Sequence, residues 1–121
     1  YMDKDLFYRT LDSDEYGHAC EWETSELLHI LPELVNMDKA REVDERPEDR
    51  LAHLPNTYTP MDWFSRSPNL TRGTPGLSTA TKGKIIWDQQ VGALAALVKA
   101  VKEDWVAKDL HEEFNRSIYR R

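Results

Sequence analysis

One cysteine, Cys20, stands in a chain of 121 residues, so neither an internal disulfide nor a multi-cysteine zinc cage can form. Basic residues are outnumbered, with 16 lysines and arginines against 22 aspartates and glutamates, for a formal net charge of −6. Apart from Arg120 and Arg121 there is no basic block, and the electrostatic footprint of a nucleic-acid binder is missing. Long apolar runs are missing too. The longest, from Val91 to Val98, falls far short of the roughly 20 residues of a membrane-spanning helix, and no basic leader with an apolar core opens the chain. The expectation is a cytoplasmic protein with no nucleic-acid and no membrane partner. The chain also lacks an initiator methionine, opening Tyr1-Met2, as a processed chain or a piece of something longer would.

What is present fits one folded domain at most: 40% of the residues are hydrophobic and 31% charged, a balance typical of globular proteins. A domain of this size has a modest stability margin, so a partner covering leftover apolar surface would matter to it.

Residues 1–17 mix aromatic and acidic side chains without a sustained period, which predicts a short strand or extended lead-in followed by a loop. From about Glu21 to Leu31 the pattern turns helical: Leu27, Leu28 and Leu31 fall at i, i+1 and i+4, and Thr24 and Ser25 sit near the start. Pro32 ends that helix, because proline disfavours helical backbone in the residue before it. Residues 36–78 form the irregular part. Pro47, Pro55, Pro60, Pro68 and Pro75 break any long element there, although the charged run Asp38 to Arg50 has room for a helical turn or two. A stretch this long without regular structure is expected to be ordered by contact with another chain. From Thr79 to about Asp104 a long helix is predicted, its stripe of Val91, Leu94, Val98, Val101 and Trp105 reading as core. A second amphipathic segment follows, with Val106, Leu110, Phe114 and Ile118 every four residues, suited to an oligomer contact.

Chemically capable side chains are densest from Glu15 to Ser25, leading into the first predicted helix. Glu23 precedes Leu27 by four residues, which predicts that it shares the buried face. In the first turn of a helix, free backbone N–H groups and the helix dipole favour an ionised carboxylate, a good metal ligand or anchor for a histidine. His18, flanked by Gly17 and Ala19, lies on a turn that substrate or metal can approach closely, and imidazole transfers protons near neutral pH. On spacing alone, a helix-start carboxylate and a satisfied loop histidine explain the cluster as well. His29 and His53 read as surface or core histidines. Trp63-Phe64 reads either as a substrate lid or as a satellite cluster packed on the body.

The string His18-Ala19-Cys20-Glu21-Trp22-Glu23-Thr24-Ser25, with Leu27-Leu28 and Leu31-Pro32-Glu33-Leu34-Val35 after it, resembles the His-Ala-Gly-Glu-x-Glu-Thr-Ser segment of the creatininase family. Gly73-Thr74-Pro75 and Ser78-Thr79-Ala80-Thr81-Lys82-Gly83 resemble a second family segment, which opens its last helix. The resemblance implies an α/β fold, with this chain as the C-terminal half of a three-layer α/β/α creatininase-like sandwich. Its implied parts are a lead-in at 1–17, the motif and helix at 18–35, the irregular loop at 36–78 and helices at 79–121. It implies a metal-dependent hydrolase of cyclic amides or related small molecules, with two divalent ions, zinc and/or manganese. His18 would be catalytic, Glu15, His18 and Trp22 would contact substrate, and Glu23 would serve the metal, with Glu21 a weaker candidate.

The chain departs from the family pattern where most metal ligands should be: the Glu-x-His-Gly-x-His and Asn-Gly-His segments do not occur, and Cys20 replaces a glycine. A second polypeptide carrying the N-terminal half, in a hexamer-like homo- or hetero-oligomer, is therefore the expected partner. A nicked precursor and a truncated chain are the alternatives. The rival function is a structural or regulatory subunit without catalysis.

Overall fold

Residues 3–14, 16–43 and 48–119 are described by a computed structural model. Among these residues six helices follow in order: α1 (Lys4–Thr10), α2 (Glu21–Ile30), α3 (Met37–Arg41), α4 (Asp62–Arg66), α5 (Ala80–Glu103) and α6 (Val106–Ile118). Single 3₁₀ turns at Pro32–Leu34 and Pro75–Leu77 lead into α3 and α5. The described residues contain no strand, so the α/β sandwich implied by the resemblance is not what this chain forms.

The expected strand or extended lead-in is helix α1 instead. Asp3 caps it, its carboxylate accepting the amides of Asp5 at 3.0 Å and Leu6 at 3.1 Å. Phe7 and Leu11, about one helical turn apart, lie on one face and are both buried. The helix beginning at Glu21 ends where Pro32 predicts, with Leu31 as its C-cap. Within the irregular region, the charged run carries only the short α3, and α4 adds one further turn and a half.

The core is small and sits at one end of α5. Phe7, Leu11 and Ile86 form it, with Tyr16 and Trp22 packed against them. Trp22 meets Phe7 edge-on at 5.0 Å between ring centroids, a favoured aromatic geometry. Further along α5 the predicted core stripe is bare: Val91, Leu94, Val98 and Val101 lie exposed on the helix, and Trp105 just beyond it is 69% exposed. The physical reason is reach, since α1 and α2 pack only on the opening turns of α5, where Gly83 and Ile86 are buried. α6 likewise has no buried residue.

The α2–α5 seam is unusually close because its meeting points are small and polar. Gly83 lies directly on the Ser25 backbone, the Ser78 hydroxyl donates to the Glu21 carbonyl at 3.0 Å, and the Thr79 amide donates to the Ser25 hydroxyl at 3.1 Å. Thr79 is also the N-cap of α5, its hydroxyl oxygen accepting the Lys82 amide at 3.2 Å. Thr79→Ala is therefore expected to cost about 1 kcal/mol. It should appear as a lower urea midpoint with an unchanged slope.

Candidate active site around His18

His18 sits in the turn between the α1–α2 connection and α2. Ala19 adopts a left-handed conformation, φ 53°, which reverses the chain just ahead of the helix. The turn is held at three points. The Ala19 amide donates to Glu23 Oε2 at 2.7 Å, the Thr24 hydroxyl donates to the Ala19 carbonyl at 3.4 Å, and the Arg72 amide donates to the His18 carbonyl at 2.8 Å. The first bond is a capping-box relative, in which a glutamate at the third helical position reaches back to an amide ahead of the helix. Gly17 permits the last one: a Cβ there would lie 2.6 Å from Cβ, Cγ and Cδ of Arg72.

His18 Nδ1 stands 3.8 Å from Glu23 Oε2, beyond hydrogen-bond length but within reach of charge attraction once the imidazole is protonated. Water screens that attraction, because the two side chains are 65% and 46% exposed. The expected burial of Glu23 is thus not found. The buried face of α2 is the one bearing Glu21 and Ser25, one turn apart, and Glu23 points instead at the open side with His18. Of the other substrate-contact candidates, Trp22 is half-buried against Phe7, and Glu15 lies outside the described residues. His29 is half-buried in the last turn of α2, and His53 is exposed in a loop. Trp63 on α4 lies beside His18, edge-on with 6.2 Å between ring centroids.

Sequence reasoning underrated Glu21 and passed over Lys82. Glu21 is fully buried. Its carboxylate accepts the amides of Asp12 at 3.1 Å and Ser13 at 2.8 Å and is ion-paired to Lys82. Lys82 Nζ also reaches Asp12 Oδ2 at 2.6 Å and the Leu77 carbonyl at 2.9 Å. Burial by itself pushes the Glu21 carboxyl up, but the Lys82 bond and the two amides together hold it below its ordinary value. Burial likewise pulls the Lys82 ammonium down, and its bonds to Asp12 and Glu21 carry it above its ordinary value. The two sequence motifs are therefore joined physically by one ion pair. A glutamate flanked by residues that become buried needs a cation, and that requirement was the available signal.

The described residues hold no group of three or more histidine, cysteine, aspartate or glutamate side chains placed to bind a metal ion. His18 and Glu23 offer two donors, whereas a zinc site takes three or four protein ligands. These residues alone do not fit a two-metal centre.

A deeply tied histidine–glutamate turn, locked to the next motif by a buried ion pair, agrees with what comparison with known proteins finds. Residues 3–98 match the profile of a class of hydrolases, the creatinine amidohydrolases. The chain belongs to the creatininase family. Among solved structures it resembles the crystal structure of a "Putative creatinine amidohydrolase" from Bacteroides fragilis, with 26% identity and a TM-score of 0.66. The similarity covers 82% of this chain and 40% of that one, so the chain spans less than half the length of this relative. No curated protein matches it.

Proposed function

We propose that this chain is part of a metal-dependent hydrolase of the creatininase type that opens a cyclic amide or related small molecule. The observation carrying the proposal is the exposed His18–Glu23 pair at 3.8 Å on a turn fixed by backbone hydrogen bonds. His18 is the group that moves a proton at the substrate. Glu23 holds the Ala19 amide, fixing the turn beside the imidazole. Divalent ions, zinc and/or manganese, would take most of their ligands from polypeptide outside these 121 residues, with Glu23 at or beside them. The reading of a second polypeptide that completes the site is supported by the bare stripe on α5, from Val91 to Val101.

In the completed, metal-loaded enzyme, His18→Ala is expected to lower kcat on the cyclic-amide substrate about 10²- to 10⁴-fold, the usual worth of general acid–base catalysis. The exposed position of His18 should leave the fold intact, which a far-UV circular dichroism spectrum checks. Undiminished turnover by the folded His18→Ala enzyme would remove the assigned role. Native mass spectrometry with metal analysis tests the assembly: a lone, metal-free chain when purified from its source would count against a two-polypeptide hydrolase.

A further inference from the structure

We propose that α6 is a self-association helix, its apolar face docking antiparallel on α6 of a second copy of this chain. The surface lies apart from the His18 turn in sequence, and the inference does not depend on how that turn is read. It begins from an energetic problem. A helix of 13 residues is marginal in water on propensity alone, so packing of its apolar face has to hold it. Yet no residue of α6 is buried, and it shares no packed face with another described element. Val106, Leu110, Phe114 and Ile118 are each exposed by half or more, and Trp105 and Tyr119 at the two ends are barer still.

Cover from within the molecule is not provided for. The family match ends at residue 98, before α6 begins, so completing the hydrolase domain assigns nothing to this face. Folding back onto the bare stripe of α5 is opposed by the connection between the helices. Only Asp104 and Trp105 separate them, the short limit of a helix-hairpin loop. The Asp104 carboxylate fixes that break by accepting the Val106 and Ala107 amides, both at 3.1 Å.

The face is complementary to itself, as a two-fold contact requires. Its four residues are evenly spaced, so the stripe reads alike from either end. An antiparallel copy sets Val106 against Ile118 and Leu110 against Phe114, with ridges of i±4 spacing on both helices. Charge selects the direction. Asp109, Glu112 and Glu113 precede a basic end that starts at Arg116 and continues in sequence as Arg120 and Arg121. Lys108 lies over the Trp105 ring, 5.8 Å from its centroid, and the three carboxylates outweigh it. An antiparallel pair lays each acidic stretch beside the basic end of its partner and opposes the two helix dipoles, whereas a parallel pair stacks acid on acid.

Sedimentation velocity on the 121-residue chain should show a monomer–dimer equilibrium of micromolar or weaker affinity, as a small interface implies. Leu110→Lys and Phe114→Lys, both far along the chain from the core of Phe7, Leu11 and Ile86, should each weaken the dimer about tenfold or more. Val98→Lys, on the α5 stripe, should leave it within about twofold. Direction is read by cross-linking. Cys20 is buried, so Val106→Cys and Ile118→Cys each supply the reactive thiol of their chain. With a short bismaleimide, a mixture of these two variants should cross-link as a heterodimer, and neither variant should cross-link alone. A native chain that stays monomeric, or a dimer that survives both lysine variants, overturns the proposal. Cross-linking of the Ile118→Cys chain to itself overturns the antiparallel pairing.

Discussion

Lys82→Met should be among the most damaging single substitutions in this chain, lowering stability by about 3–5 kcal/mol, the cost of breaking a buried ion pair from one side. Glu21 is fully buried, and the Lys82 side chain that neutralises it is only 16% exposed, so solvent cannot substitute for the lost ammonium. Domains of this size have about 5–15 kcal/mol in total, which makes the loss a large share. Urea unfolding followed by circular dichroism at neutral pH measures it. Adding Glu21→Gln to Lys82→Met should recover part of the loss, because the neutral amide still accepts from the Asp12 and Ser13 amides without leaving a buried charge. If the single variant matches the native midpoint, the pair has no structural weight.

The pH dependence has two signs. Glu21 is held below its ordinary value in the folded chain, so its contribution is present above the unfolded value, about 4.3, and fades as pH falls through the folded one. Lys82 is held above its ordinary value, so its contribution is full below the unfolded value, about 10.4, and fades as pH rises through the folded one. The link between the motifs is therefore intact across the neutral range and weakens at both extremes.

Gly83→Ala is the second substitution expected to be severe. A Cβ at residue 83 would fall far inside contact distance of the Ser25 carbonyl and within 2.9 Å of the Glu26 amide nitrogen. Both obstacles are backbone, so no rotamer change relieves the clash. The helices have to separate, pulling apart the bonds from Ser78 to Glu21 and from Thr79 to Ser25. The expected cost is about 3 kcal/mol, at the upper end of ordinary overpacking, visible as a clear fall in the thermal midpoint. Gly92 is the internal control. Nothing lies within 4 Å of a Cβ there, and Gly92→Ala should stabilise by up to about 1 kcal/mol through helix propensity alone. A Gly83 variant that melts with the native chain would show that the seam can open at little cost.

Local signals in the sequence were reliable where one element decides the outcome. The alanine-rich run from Ala93 to Ala100 gave the helix that became α5, and Pro32 marked the end of α2. Signals that depend on neighbours misled. Apolar residues at helical spacing read as core, but Val91 to Val101 find no partner among the elements packed on α5. Glu23 followed the leucines in period, yet the close approach of Gly83 turned the Glu21–Ser25 face inward and left Glu23 outside. The lead-in lacked an obvious period because, among its described apolar residues, Phe7 and Leu11 alone are buried, too few positions to display one. The candidate site divides the same way: His18 and Glu23 share one short motif and were legible, whereas the approach of Trp63, weighed from sequence as a lid or a packed cluster, and the pairing of Lys82 depend on distant segments. The resemblance supplied a family that holds and a sheet architecture that the described residues do not form.

The ion pair that joins the two motifs also sets when their junction can take shape. Lys82 meets Glu21 across 61 positions and Asp12 across 70, so the tie closes a long loop before it returns any stabilisation. Closure entropy rises with loop length, and contacts of high sequence separation form slowly. α2 and the bonds from Ala19 to Glu23 and from Thr24 to Ala19 can form early from local residues, but Asp12 and Glu21 are tied to Lys82 only after the start of α5 has docked. A chain still emerging from synthesis therefore carries the whole His18–Ser25 motif before Lys82 exists to fasten it to the second motif, and the join between the two is among the last parts of the fold to close.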